Sequence, residues 1–143
     1  FMEERQSHIS ASPEIVKLGL MLKETDALLL VSPEYHGSFT GVLKNALDFY
    51  WAEFSRKPIG VITTGSGKMG GINASTQLQH IILSLGAYPM PFKLLVPDIQ
   101  HAFDEDFQPL REDVVKNTER FLNEFMWFAT ALSNAREYRI LNK

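Results

Sequence analysis

Two short runs hold most of the residues in this chain that could meet a ligand. The first, Ser32-Pro33-Glu34-Tyr35-His36-Gly37-Ser38, follows the apolar stretch Ala27 to Val31 and leads toward Thr40. Pro33 has a fixed φ and pushes Ser32 toward an extended conformation, so the strand ends sharply. Gly37 and Gly41 allow backbone geometry closed to other residues. Consecutive amides from Glu34 to Gly37 are then available as donors to a single group, and Tyr35 offers a flat ring face. The second run, Thr63-Thr64-Gly65-Ser66-Gly67-Lys68-Met69-Gly70-Gly71, also lies between an apolar strand-like segment and a helix-like one. Its glycines let backbone approach a ring or a phosphate, and the following helix start favours negative or electron-rich groups. It is not a P-loop, which needs four residues before Gly-Lys-Ser/Thr, whereas Lys68 here precedes Met69. In open α/β sheets, ligands bind at the carboxyl ends of strands. From spacing alone, a tight strand–helix connection without a ligand is an equal reading of the first run, and a structural role is the commoner one for a bare glycine-rich loop.

Other chemistry is sparse. The chain has no cysteine, which excludes disulfides, thiolate catalysis and iron–sulfur ligation by its own residues. His8, His36, His80 and His101 are scattered; His80 reads as a surface or packing residue. His101 lies near Asp98, Asp104, Glu105 and Asp106, a run that reads as an acidic solvated loop and not as a metal site. No Ser/His/Asp constellation stands out. Fourteen basic residues against 17 acidic ones, a net charge of −3, give no electrostatic case for nucleic acid or an anionic membrane. No apolar run approaches the roughly 20 residues that span a bilayer, and no signal peptide is visible. The expectation is a soluble, cytoplasmic protein.

The elements that position the two runs are readable in order. Ser12-Pro13 is a helix start, with Ser12 as cap, and Ile15, Leu18, Gly19 and Leu22 share one face. Ala27 to Val31 is continuously apolar, as for a strand covered on both faces. Thr40 caps a helix whose apolar face is Leu43, Ala46/Leu47, Tyr50 and Phe54. Ile59 to Thr64 is a second buried strand. Ala74, Leu78, Ile81, Ile82 and Leu85 form the inner face of the next helix, stopped by Gly86. Pro91 to Val96 reads as a third strand. Pro109 opens the longest helix, with Leu110, Val114, Thr118, Phe121, Phe125, Phe128 and Leu132 recurring at steps of three or four. Trp127 falls beside that stripe, which leaves open a subunit contact or a thick core helix. Residues 135–143 read as a helical tail or a subunit contact. The α-β-α-β-α-β-α order predicts a doubly wound parallel sheet with helices on both faces.

The first run with Gly41-Val42-Leu43-Lys44-Asn45-Ala46-Leu47-Asp48 after it resembles the S-P-E-Y-N-G-S…G-x-L-K-N-A-x-D signature of NADPH-dependent FMN reductases, a flavodoxin-like family. His36 stands where that family has Asn. The second run is similar to the family's S/T-x-G-G-x-x-G-G loop, and Gln77-Leu78-Gln79 through Gly86-Ala87 resembles its Q-L-R-x-x-L-x-x-L-G-A helix. The resemblance covers roughly residues 13 to 125. It implies an α/β flavodoxin-like fold and an oxidoreductase using FMN with NADPH or NADH as donor. Pro33, Glu34, Tyr35, His36, Gly37, Thr64, Gly65, Ser66, Gly67 and Lys68 would be its cofactor-binding residues. No residue of the chain would be catalytic, because the flavin N5 carries the chemistry. Glu34 is expected to shape the turn, and Lys68 to favour a phosphate or the reduced ring. His36 would donate toward the flavin or simply face solvent.

Electrons would pass to a small-molecule acceptor: flavin, quinone, azo compound or metal oxyanion. A homodimer or homotetramer is implied, with no nucleic-acid or membrane partner. Two other classes remain: a flavodoxin-like electron carrier that does not oxidise NAD(P)H, and a non-enzymatic truncated homologue. The family's G-S-x-R-x-x-S phosphate loop does not occur in these 143 residues. The expectation is therefore a single flavodoxin-like domain over residues 1–143, incomplete at its amino end, with the first two strands and the helix between them lying upstream.

Overall fold

Pro13 at the first helical position starts α1 (Pro13–Glu24), in a computed structural model that describes residues 12–141. Ser12 occupies the capping position, but its side chain makes no capping bond, so the expected Ser12 cap is not formed. The chain continues as β1 (Leu28–Pro33), α2 (Gly41–Asp48), β2 (Pro58–Thr64), α3 (Ile72–Ser84), β3 (Tyr88–Pro89), β4 (Leu94–Val96) and α4 (Glu112–Leu141). His8 and the first residues lie outside the described part.

All strand pairings are parallel, with β2 central. β1 runs level with it from Leu28↔Ile59 to Pro33↔Thr64. β3 pairs with the start of β2 and β4 with its end, so the third strand expected at Pro91–Val96 is two pieces. Pairing begins earlier, at Tyr88, and Pro91 sits in the interruption, where its missing N–H costs no ladder bond. Helices joining parallel strands make this the doubly wound architecture expected.

Alternate residues of β2 face two cores. Ile59 and Val61 pack with Leu30, Leu47, Tyr50, Phe54, Leu78 and Ile82. Ile62 packs on the opposite side with Leu94, Val96, Phe121 and Phe125. A methyl added at Gly60 would lie 2.7 Å from Leu29 and 3.0 Å from the rings of Phe121 and Phe125, so α4 approaches the sheet only because residue 60 has no side chain. Gly19 serves α1 in the same way: a methyl there would lie 3.1 Å from the Tyr50 ring.

Three expectations change in detail. β1 is not covered on both faces: Leu29 and Val31 are exposed, and α4 packs mainly over β2 and β4. α2 stops at Asp48, and Tyr50 and Phe54 reach the core through a loop and the short 3₁₀ turn Ala52–Phe54. The Tyr50 hydroxyl donates to the Ile15 carbonyl at 2.8 Å. α4 begins at Glu112, leaving Leu110 exposed, and its buried stripe is Val114, Phe121, Phe125 and Ala129. Trp127 is 70% exposed. The tail is helical through Leu141, and Arg136 pairs with Asp26 ahead of β1.

Candidate functional site

Because β1 and β2 end level, Pro33 opposite Thr64, the two runs leave the sheet side by side. The Glu34 amide donates to the Thr64 carbonyl at 2.8 Å and carries the pairing one residue further. Tyr35 and Ser38 then exchange two backbone bonds, of 2.8 and 3.0 Å. The two residues between them both have positive φ, 52° at His36 and 77° at Gly37. That is the geometry of a two-residue I′ hairpin turn, which favours Asn-Gly. Histidine is also enriched in this left-handed region, so His36 replaces Asn without changing the turn. Ser32, buried, supports the loop from below: its hydroxyl accepts from the Thr40 amide at 3.1 Å. The Thr40 side chain caps α2 through the Leu43 amide, as expected.

The glycine run is held from its carbonyl side. Thr63 Oγ1 donates to the Gly70 carbonyl at 3.0 Å. The Ile99 amide donates to Gly65, the Asp98 amide to Gly67, and Gln100 Nε2 to Ser66. Gly70 and Gly71 carry positive φ and pack so closely that a methyl would meet backbone of Val96 and Pro97 at 2.9 Å, or Thr63 at 2.8 Å. Gly67 faces open space.

The amides left over mark the candidate site. Among the described residues, those of His36 and Gly37 in the first loop and of Ser66, Gly67 and Lys68 in the second donate to no protein acceptor. Of the four amides expected from Glu34 to Gly37, the Glu34 and Tyr35 pair is used internally. Tyr35 is 62% exposed beside the turn, and Lys68 is exposed.

Glu34 shapes the turn, as expected. Its carboxylate accepts from the Asn73 and Ala74 amides at 2.9 and 3.0 Å and from Asn73 Nδ2 at 3.2 Å. These are orphan donors of the first turn of α3. The Ala74 amide bond lowers the Glu34 pKa from its usual value, partial desolvation works against it, and Asn73 adds to the lowering. A second tie is not legible in the sequence: Gln77 Nε2 donates to the Gly37 carbonyl at 2.8 Å, and Gln77 Oε1 accepts from Ser38 Oγ at 2.7 Å. Asn73, Ala74 and Gln77 share one side of α3, and that spacing was the available signal. His101 pairs with Asp98 at 2.9 Å on the surface. Among the described residues, no group of His, Asp and Glu could hold a metal.

A family model described as NADPH-dependent FMN reductase matches residues 1–101. The chain is 34% identical to an NADPH azoreductase of Bacillus sp. (strain OY1-2) over 86% of this chain and 70% of that protein. It is 41% identical to an FMN-dependent NADPH-azoreductase of Staphylococcus aureus over 57% of this chain, spanning 43% of that relative's length. Among solved structures, the flavoenzyme NAD(P)H:(acceptor) oxidoreductase FerB from Paracoccus denitrificans aligns with a TM-score of 0.63 and 26% identity, over 87% of this chain and 69% of that one.

Proposed function

Because the chain belongs to the NADPH-dependent FMN reductase family, we propose that its two loops bind the ring of FMN and that the loaded protein oxidises NADPH or NADH. The carrying observation is the level pair of loops with unpartnered amides at His36, Gly37, Ser66, Gly67 and Lys68. A flavin's pyrimidine edge presents carbonyl and ring-nitrogen acceptors, and this donor set suits them. Open space at Gly37 and Gly67 supports close approach of a flat ring to backbone, and the exposed Tyr35 offers a face beside it.

In this reading Pro33 ends the strand, Glu34 fixes the turn to α3, and His36 and Gly37 donate to the ring. Thr64 and Gly65 bring in the second loop, where Ser66 and Gly67 donate and Lys68 supplies positive charge. Bound FMN supplies the redox chemistry, accepting a hydride from nicotinamide and releasing two electrons to the acceptor. An azo compound is the first acceptor to test, given the names of the relatives; flavin, quinones and metal oxyanions follow. Reduction of N=N takes two electrons and two protons; the hydride accounts for both electrons and one proton, and water supplies the other proton. A homodimer or homotetramer is proposed through α4, where Met126 and Trp127 are exposed. The cytoplasm, where NADPH is supplied, is the proposed compartment. No helix among the described residues is long and apolar enough to cross a membrane.

The test is titration with FMN followed by NADPH without air. Quenching of flavin fluorescence and rapid bleaching of the oxidised flavin band are expected. Binding without bleaching would favour an electron carrier, and a protein that stays colourless with added FMN would overturn the reading.

A further inference from the structure

We propose that Gln77 is a positioning residue that aims the His36–Gly37 turn at the flavin, an inference that rests on the flavin reading above. The turn is stitched across its base by the Tyr35–Ser38 bonds and tied to β2 through Glu34. Its tip is different. Gly37 has φ +77°, and nothing stands within 4 Å of the place a side chain would fill. Among the described residues, the one side chain that holds the tip is Gln77, which grips the Gly37 carbonyl at 2.8 Å and Ser38 Oγ at 2.7 Å.

The chemistry of this grip is directional. A glycine carbonyl only accepts, so the Gln77 NH₂ must face it, and the amide oxygen is left for the Ser38 hydroxyl. One planar group therefore fixes the peptide unit that follows the free Gly37 amide. The contact is exposed, on the rim of a groove of about 540 Å³ lined by Ser38, Phe39, Lys44, His80 and Ile81. Water competes for such bonds, so their contribution to global stability is small. Their contribution to aim is larger, since a donor misplaced by a fraction of an ångström or turned away weakens steeply.

Three variants separate aim from folding. Gln77→Ala removes both bonds. Gln77→Glu keeps the shape but loses the donor and sets a carboxylate against the Gly37 carbonyl. Ser38→Ala removes one bond and leaves α3 untouched. In the flavin-free chain, the backbone order parameters of His36 and Gly37 are expected to fall from a rigid value of about 0.85 toward about 0.6 in both Gln77 variants. The FMN Kd, read by fluorescence quenching, is expected to weaken about tenfold in both, or ~1.4 kcal/mol, and less in Ser38→Ala. The bound flavin is expected to become harder to reduce, while Tm changes little. FMN binding within twofold of the parent in both Gln77 variants, with unchanged order parameters, would sink the proposal. A parallel fall in Tm and affinity in all three would assign Gln77 a merely structural role. Failure of the parent chain to bind FMN would instead overturn the flavin reading itself.

Discussion

Gly37 and Gly70 both carry positive φ, yet a methyl group meets a different obstacle at each. At Gly37 nothing stands nearby, so Gly37→Ala meets only the left-handed backbone cost of about 1–2 kcal/mol. At Gly70 the methyl also collides with Pro97 and Val96 backbone at 2.9 Å, which cannot swing away as a side chain would. Gly70→Ala should therefore cost more than Gly37→Ala in urea denaturation; equal costs would mean that the glycine loop yields. His36 already sits at φ 52°. His36→Asn keeps the turn and should gain about 0.5 kcal/mol, part of the same left-handed cost. Glu34→Ala uncaps α3 at about 1 kcal/mol. Because the folded pKa of Glu34 is lowered, its stabilisation is complete above the usual 4.5 and is lost as pH falls through the lowered value. Stability of the parent and of Glu34→Ala should accordingly converge in acid, and curves that stay parallel would refute the cap's role.

At the level of elements, α3 is the common support of both loops: it begins where the glycine run ends, and Glu34 and Gln77 bind the turn to its first two turns. The loops were legible because proline and glycine state backbone geometry in the residue type itself. The ties were not, because Asn73 and Gln77 on an exposed helix face look like solvated surface until the partner loop is in place. The third strand misled for a related reason. Pro91 marks a break, and the eye takes a break for a beginning, while Tyr88 and Pro89 had already paired with β2. Helix α4 was readable from its aromatic period, but its height above the sheet depends on Gly60, whose role appears only when Phe121 and Phe125 are seen 3.0 Å from its vacant side-chain position. Phe121→Ala should cost about 3–5 kcal/mol by cavity formation. Gly60→Ala should cost about 1–3 kcal/mol by overpacking. A neutral Gly60→Ala in a denaturation series would show that α4 can ride outward.

On the scale of the whole molecule, β1 has one strand neighbour among the described residues, and its Leu29 and Val31 are exposed. Leu18, Leu20 and Met21 of α1 are exposed as well. Apolar side chains exposed together on one face invite association. Val31, 59% exposed, contributes little to folding, so Val31→Lys should leave Tm nearly unchanged and lower light scattering by the chain at high concentration. Scattering that does not fall would place association elsewhere. The pairing of β1 with β2 has a further consequence. Six residue pairs in unbroken register bring Pro33 and Thr64 to one height. Removing a single residue from β1 would drop the first loop by ~3.3 Å relative to the second and turn the faces of the strand over. The sheet thus works as a length standard for the site. Whatever spans the two loops is measured against the count of peptide units in two neighbouring strands, and an error of one unit would spoil the fit with every loop residue still present.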